Sequence, residues 1–151
     1  MMLFRKYFLI LLIILGAAAC NKEKNPVPST YVDIWITDID SDSRYTDLRV
    51  PYGAVNVKQG DKCWGYKCNG VVLFRAKLEG AYDDFRAFDR TCTFEAGSIQ
   101  MEIDQGFSDQ LICPGCGSIF SMIGGYMVQG PAKHPLREFY CEYYDGDLWV
   151  R

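Results

Sequence analysis

The sequence predicts an all-β, antiparallel domain, and three observations carry that prediction. Short apolar or alternating runs recur roughly every eight to twelve residues, each closed by a turn signal, which is the spacing of sandwiches and barrels. No segment sustains the apolar repeat of an amphipathic helix over the ~10–12 residues that a helix needs. Near the end, Asp145-Gly146 is a type I′ hairpin signal between two apolar runs.

The elements follow in order. Tyr31 to Ile36 places Val32, Ile34 and Ile36 on one face, a half-buried strand. Asp38 to Tyr45 is an acidic, serine-rich loop. Its three alternating carboxylates, Asp38, Asp40 and Asp42, lack the bend glycine and closing glutamate of a calcium loop, so a solvated loop is expected. Ala54 to Lys58 reads as a strand. Cys63 and Cys68 flank four residues, and a hairpin loop of that length would place them within bridging reach. Val71 to Ala76 is a buried strand, and Ala81 to Phe88 a turn and a strand leading to Cys92. Ser98 to Ile103 alternates, with Ile99, Met101 and Ile103 inward. Gln105 to Asp109 is a turn, Gln110 to Ile112 a strand, and Gly124-Gly125 a hairpin. Glu138 to Tyr143 alternates again and points Cys141 inward, and Leu148 to Val150 closes the sheet.

The chain has 151 residues, 49 % apolar and 15 % aromatic, enough for one packed core. Net charge is −3 and no basic stripe exists, which argues against a nucleic-acid partner. Seven cysteines beside one histidine point to disulfides, metal or thiol chemistry, with the compartment deciding which.

The N-terminus addresses the compartment. Arg5 and Lys6 precede an unbroken apolar run from Phe8 to Leu15, then Ala17-Ala18-Ala19-Cys20. The run is shorter than the ~20 residues of a spanning helix. The segment resembles a bacterial lipoprotein signal, although Ala17 stands where leucine is usual; an ordinary secretory signal is the alternative. The reading is a signal peptide over residues 1–19, lipidation at Cys20, a mobile tether over 20–30 and a domain over 31–151. Removing the signal leaves 14 basic against 19 acidic residues, a net −5. The protein is then exported and lipid-anchored in the bacterial cell envelope. Asn21 rather than aspartate after the cysteine favours the outer membrane.

The chemistry concentrates between Leu111 and Leu136. Cys113-Pro114-Gly115-Cys116-Gly117-Ser118 puts two sulfurs at C-x-x-C spacing on a tight loop, as a metal knuckle or a redox pair requires. Cys92-Thr93-Phe94 offers a third sulfur, and Gly130-Pro131-Ala132-Lys133-His134-Pro135-Leu136 forms a proline turn. Together these motifs resemble the Rieske iron–sulfur domain, which carries C-x-H, then C-P-x-H-G-S, then GPA-x-x-PL. The resemblance spans residues 48 to 150, and it looks most like an exported lipoprotein branch with drifted cluster ligands.

That resemblance implies a Rieske-like antiparallel β domain: a base sheet or sandwich built from both chain ends, with a small two-loop subdomain inserted. It implies cluster cysteines at Cys92 and Cys113, and places Phe94 and Cys116 at the two histidine positions. Ser118 keeps a hydroxyl that the family sets beside the cluster, Phe120 stands where many members have tyrosine, and Gly115 replaces one cysteine of the family's loop disulfide. A usual Rieske centre needs two histidines, so none is expected.

Three thiolates remain, and a tetrahedral metal site needs a fourth ligand. His134 is the candidate, against a plain surface role, and Glu95 is a weaker one. An atypical [2Fe-2S] cluster, zinc and a disulfide among the three cysteines all stay open. A thioredoxin-like reading of Cys-Pro-Gly-Cys fails because no helix follows. A Ser118-Asp89-His134 triad lacks a nucleophile elbow. The expected function is a non-enzymatic structural or binding module of the envelope with a degenerate cluster site. The alternative is an electron carrier with an altered cluster, or a zinc-holding module. The membrane, through the N-terminal lipid, is the expected partner, and the sequence names no redox or envelope protein partner.

Overall fold

A computed structural model of the chain describes residues 24–57, 60 and 62–151. The signal segment, Cys20 and Asn21 lie outside the described residues. No helix among those described is long and apolar enough to cross a membrane.

Among the described residues eleven strands stand in order: β1 (Ile34–Ile36), β2 (Ala54–Asn56), β3 (Val71–Arg75), β4 (Phe85–Asp89), β5 (Glu102–Ile103), β6 (Gln110–Ile112), β7 (Ile119–Ser121), β8 (Met127–Gln129), β9 (Glu138–Phe139), β10 (Cys141–Tyr144) and β11 (Asp147–Val150). They form three antiparallel sheets: β1-β11-β10, β2-β3-β4-β9 and β5-β6-β7-β8. The first joins both ends of the domain, with Ile34 opposite Val150. The third is inserted between β4 and β9.

The sheet β2-β3-β4-β9 contributes to both cores. Val71, Leu73, Phe85 and Ala87 pack with Ile34, Ile36, Leu148 and Val150. Val72, Phe74 and Phe88 pack with Leu111, Phe120, Met101 and Met122. This explains why β3 reads as a continuous apolar run rather than an alternation. Each fully buried large side chain contributes about 1.5–3 kcal/mol, so these two clusters hold the layers together. Asp145 and Gly146 both have positive φ, 49° and 88°, as the type I′ turn between β10 and β11 requires.

Four segments differ from the sequence reading. Val32, Ile34 and Ile36 are buried as the alternation requires, but only Ile34–Ile36 of the first run pairs. The acidic loop is less solvated than expected. Asp42 caps a 3-10 segment, Ser43–Arg49, that buries Tyr45 and Leu48, while Asp40 accepts from Arg75 and the Tyr143 hydroxyl. Ile99 is 42 % exposed because residues 98–101 connect the two layers and only Glu102–Ile103 pairs with β6. The run from Glu138 to Tyr143 divides between two sheets. Tyr140 pairs both backbone groups with Arg151, so Phe139 belongs to the β4 sheet and Cys141 to the β11 sheet.

Candidate metal or thiol centre

Three loops converge on one point of the inserted layer. The first follows β4. Asp89 fixes it by accepting the Tyr66 N–H on one carboxylate oxygen (2.6 Å) and the Thr91 N–H on the other (2.9 Å). The Asn69 amide donates to Thr91 Oγ1, which donates to Tyr66 O. The chain then turns at Cys92, whose carbonyl accepts from Ala96. The second loop leaves β6. Cys113 accepts from the Gly117 N–H and donates to Ser118 O, closing a tight turn over 113–118. The third is the proline turn. Thr93 Oγ1 donates to His134 O at 2.7 Å, and the Ala132 N–H donates to Ser118 Oγ at 3.2 Å, so this turn is tied to both cysteine loops.

The result brings Cys92, Cys113 and Cys116 together, with all three sulfurs within 4.8 Å of one another. Cys92 and Cys116 are nearest, at 3.5 Å. Cys116 Sγ also lies 3.1 Å from Ser118 Oγ. Cys92 and Cys113 are fully buried, and Cys116 is half-buried.

The sulfurs are not equivalent. Burial pushes the Cys92 thiol up to about 12, against the pull of the Phe94 and Glu95 N–H groups; the neighbouring Cys113 and Cys116 push the same way as burial. Burial also works against ionisation of Cys116. There the Ser118 hydroxyl and N–H, with the Cys92 and Cys113 thiols, outweigh it and hold Cys116 below an ordinary thiol.

The other candidates stand apart. His134 is half-buried, and no fourth histidine, cysteine or carboxylate among the described residues lies within 4.8 Å of all three sulfurs. Glu95 is exposed, its carboxylate resting against Gly115. Phe94 is 52 % exposed and lines a shallow groove of about 270 Å³ with Pro131, Lys133 and His134. Asp89 spends its carboxylate on backbone N–H groups and Ser118 is held by Cys116 and Ala132, so no hydrolase relay forms. A groove of about 740 Å³ between Tyr52, Tyr82, Ile123 and Tyr140 contains none of the three sulfurs.

Cys63 and Cys68 form a disulfide, with Cα atoms 4.6 Å apart. The intervening residues make no hairpin. Lys67 and Cys68 take positive φ, and Tyr66–Cys68 coils into one 3-10 turn. That turn supplies Tyr66 and the adjacent Asn69, which brace the Cys92 loop. Sequence reasoning missed this brace; the signal for it is the buried polar set Asn69, Asp89 and Thr91.

No protein-family model and no curated protein matches the chain. A solved structure does, the plasma-membrane Rieske protein PetC3 of the cyanobacterium Synechocystis PCC 6803. The match has a TM-score of 0.50 at 19 % identity and covers 70 % of this chain and 92 % of that one. The fold is that of a Rieske protein. A chain from the complex of reduced oxygenase and oxidized ferredoxin in carbazole 1,9a-dioxygenase also matches, with a TM-score of 0.46 and 22 % identity, over 78 % of this chain and 92 % of that one.

A Rieske centre needs two cysteines and two histidines. This Rieske fold holds three sulfurs and no histidine within the same 4.8 Å, and the whole chain has one histidine. The usual centre does not fit these residues. The three-cysteine set is still one that could bind a metal.

Proposed function

We propose that the chain is an exported, lipid-anchored protein of Rieske fold whose ancestral cluster site is degenerate. It serves the bacterial cell envelope, at the outer membrane, as a non-enzymatic structural or binding module. The observation that carries the reading is Phe94. At a position where the resemblance places a ligand histidine, an aromatic side chain points half into solvent and offers no donor atom. Cys116, at the other such position, supplies sulfur instead. The three-loop scaffold supports a retained binding role, because its hydrogen bonds tie the proline turn to both cysteine loops.

The test is visible absorbance with iron and acid-labile sulfide analysis on anaerobically purified protein. A colourless, iron-free chain is expected. About two irons and two sulfides per chain would overturn the reading. Anchoring is tested separately: Cys20→Ser should release the protein from membranes, and a variant that stays bound after detergent-free washing would refute the lipid anchor.

One observation favours a second reading. The sulfurs are buried, and the proline turn is tied to both loops that carry them, so an altered [2Fe-2S] cluster in an electron carrier finds a ready lid. It would need a further ligand, and a thiolate at Cys116 would lower its potential below the usual Rieske range. Zinc has less support, because His134 does not join the sulfurs.

A further inference from the structure

The three sulfurs form a complete donor set for a metal ion that takes three ligands. A metal–sulfur bond of about 2.3 Å in trigonal geometry sets the sulfurs about 4.0 Å apart. The cluster is compact enough for that geometry, with Cys92 and Cys116 3.5 Å apart and no sulfur pair beyond 4.8 Å. A structural zinc ion takes four ligands. Among the described residues no fourth histidine, cysteine or carboxylate lies within that distance of all three sulfurs. Harder ions prefer oxygen, while soft thiolates select Cu(I), zinc or iron–sulfur clusters; of these, three sulfurs with no fourth side chain suit Cu(I) best.

Hydrogen-bonding groups stand beside two of the sulfurs. At Cys92 the Phe94 and Glu95 N–H groups oppose the burial that raises the thiol. The Cys116 thiol donates to Ser118 Oγ at 3.1 Å, and as a thiolate it would accept from the Ser118 hydroxyl and N–H instead. Such donors stabilise thiolates that a buried site would otherwise disfavour. Ser118 is itself held by the Ala132 N–H of the proline turn, so the donors are fixed by the fold.

We infer that Cys92, Cys113 and Cys116 form a three-coordinate thiolate site for a soft monovalent cation of the Cu(I) class. This rests on the reading that the site carries no Rieske cluster, and it names the ligand of the binding module. Three thiols exchange three protons for one Cu(I), with no electron transferred.

The experiment is an anaerobic titration of the full-length, detergent-extracted protein with Cu(I), after reduction by a phosphine and in competition with a chromophoric Cu(I) chelator. One Cu(I) per chain is expected, with a sulfur-to-metal charge-transfer band in the near ultraviolet. X-ray absorption should read three sulfurs at about 2.3 Å. Equimolar Zn(II) should not displace it. The reductant also frees Cys63 and Cys68, so the Cys63→Ser/Cys68→Ser variant must keep the same stoichiometry. Cys116→Ser, at the half-buried position, should lose more than the ~10–100-fold that disturbing an outer-shell group costs. Its fold is checked by near-ultraviolet circular dichroism. No uptake, uptake unchanged by Cys116→Ser, or preference for four-coordinate zinc would overturn the inference. Iron analysis on the same preparation separates the failures. About two irons per chain would defeat the underlying reading, while an iron-free chain that refuses Cu(I) would defeat this inference alone.

Discussion

A Cβ placed on Gly130 would stand 2.5 Å from Ser118 Cα and 2.8 Å from Ser118 Oγ. The proline turn thus approaches the second cysteine loop closely enough that only glycine fits. Gly130 also holds φ at +111°, where a side chain is strained. The contact lets the Ala132 N–H reach Ser118 Oγ, and that hydroxyl reaches Cys116. One missing methyl group therefore sits at the start of a chain of contacts that ends on a sulfur.

Gly130→Ala should push the turn away from Ser118. Overpacking and backbone strain together should cost about 3 kcal/mol. Urea midpoints measure the loss. The same variant should alter the rate at which iodoacetamide modifies Cys116, since the Ser118 hydroxyl is no longer held. Unchanged stability and unchanged Cys116 reactivity would remove the close approach as a structural determinant.

Arg75 offers a second test, away from the sulfurs. Its guanidinium is buried and reaches Asp84 at 3.2 Å, Asp40 at 3.0 Å and the Lys77 carbonyl at 2.7 Å, and it lies over the Phe85 ring. Asp84 is fully buried and also accepts from the Glu79 and Gly80 N–H groups. Arg75→Met leaves that carboxylate without its cation and should cost ~3–5 kcal/mol. Adding Asp84→Asn should recover part of the loss, because the two groups are coupled. Strict additivity in a double-mutant cycle would contradict the pairing.

The limits of the sequence have physical causes here. Val71–Arg75 was legible as a buried strand because both faces pack, and Asp145-Gly146 because few residue pairs accept two positive φ values. The division at Tyr140 was not, since an alternation keeps the same period whether or not the strand changes sheet. Ile99 misled for a similar reason: apolar spacing marks a face, yet only Met101 of that pair meets a core. The short acidic loop hid two 3-10 turns that meet at a kink at Tyr45, because turns this short carry no apolar period. At the centre, motif order identified the loops that carry Cys92, Cys113 and Cys116. What it did not contain was the brace from Asn69 to Thr91 or the distance between His134 and the sulfurs. Both depend on how separate turns pack.

The Cys63–Cys68 disulfide should matter to the centre as well as to stability. It closes a short loop, so its entropic contribution is about 2 kcal/mol. The turn it closes donates the Tyr66 N–H to Asp89 and carries Asn69 to Thr91. Cys63→Ser/Cys68→Ser should lower the melting temperature and speed amide exchange of Thr91 and its neighbours. Peptide mapping of protein trapped at harvest should recover the two cysteines linked. Free thiols there, or exchange unchanged at residues 89–93, would separate the disulfide from the brace.

The alkaline limb of stability follows from buried thiols. Burial pushes Cys141 from an ordinary 9.0 to about 12, with Glu138 pushing the same way and Arg86 opposing. Cys92 is pushed to about 12, also chiefly by burial. A raised thiol value means that the folded chain keeps protons which the unfolded chain releases. Between pH 9 and about 12 the unfolded state therefore binds fewer protons, and stability falls as pH rises. Tyr143, raised by burial and by its bond to Asp40, acts in the same direction at higher pH. Cys141 lies in the core of the outer layers, away from the sulfur cluster, so it can be changed alone. Cys141→Ala should cost about 1 kcal/mol near neutrality through lost packing. It should also decline less steeply in alkali, so that its deficit relative to the parent shrinks or reverses. Urea midpoints taken from pH ~8 to ~11 compare the two chains. Parallel curves would mean that Cys141 ionises as readily in the folded chain as in the unfolded one, and that the core admits water at β10.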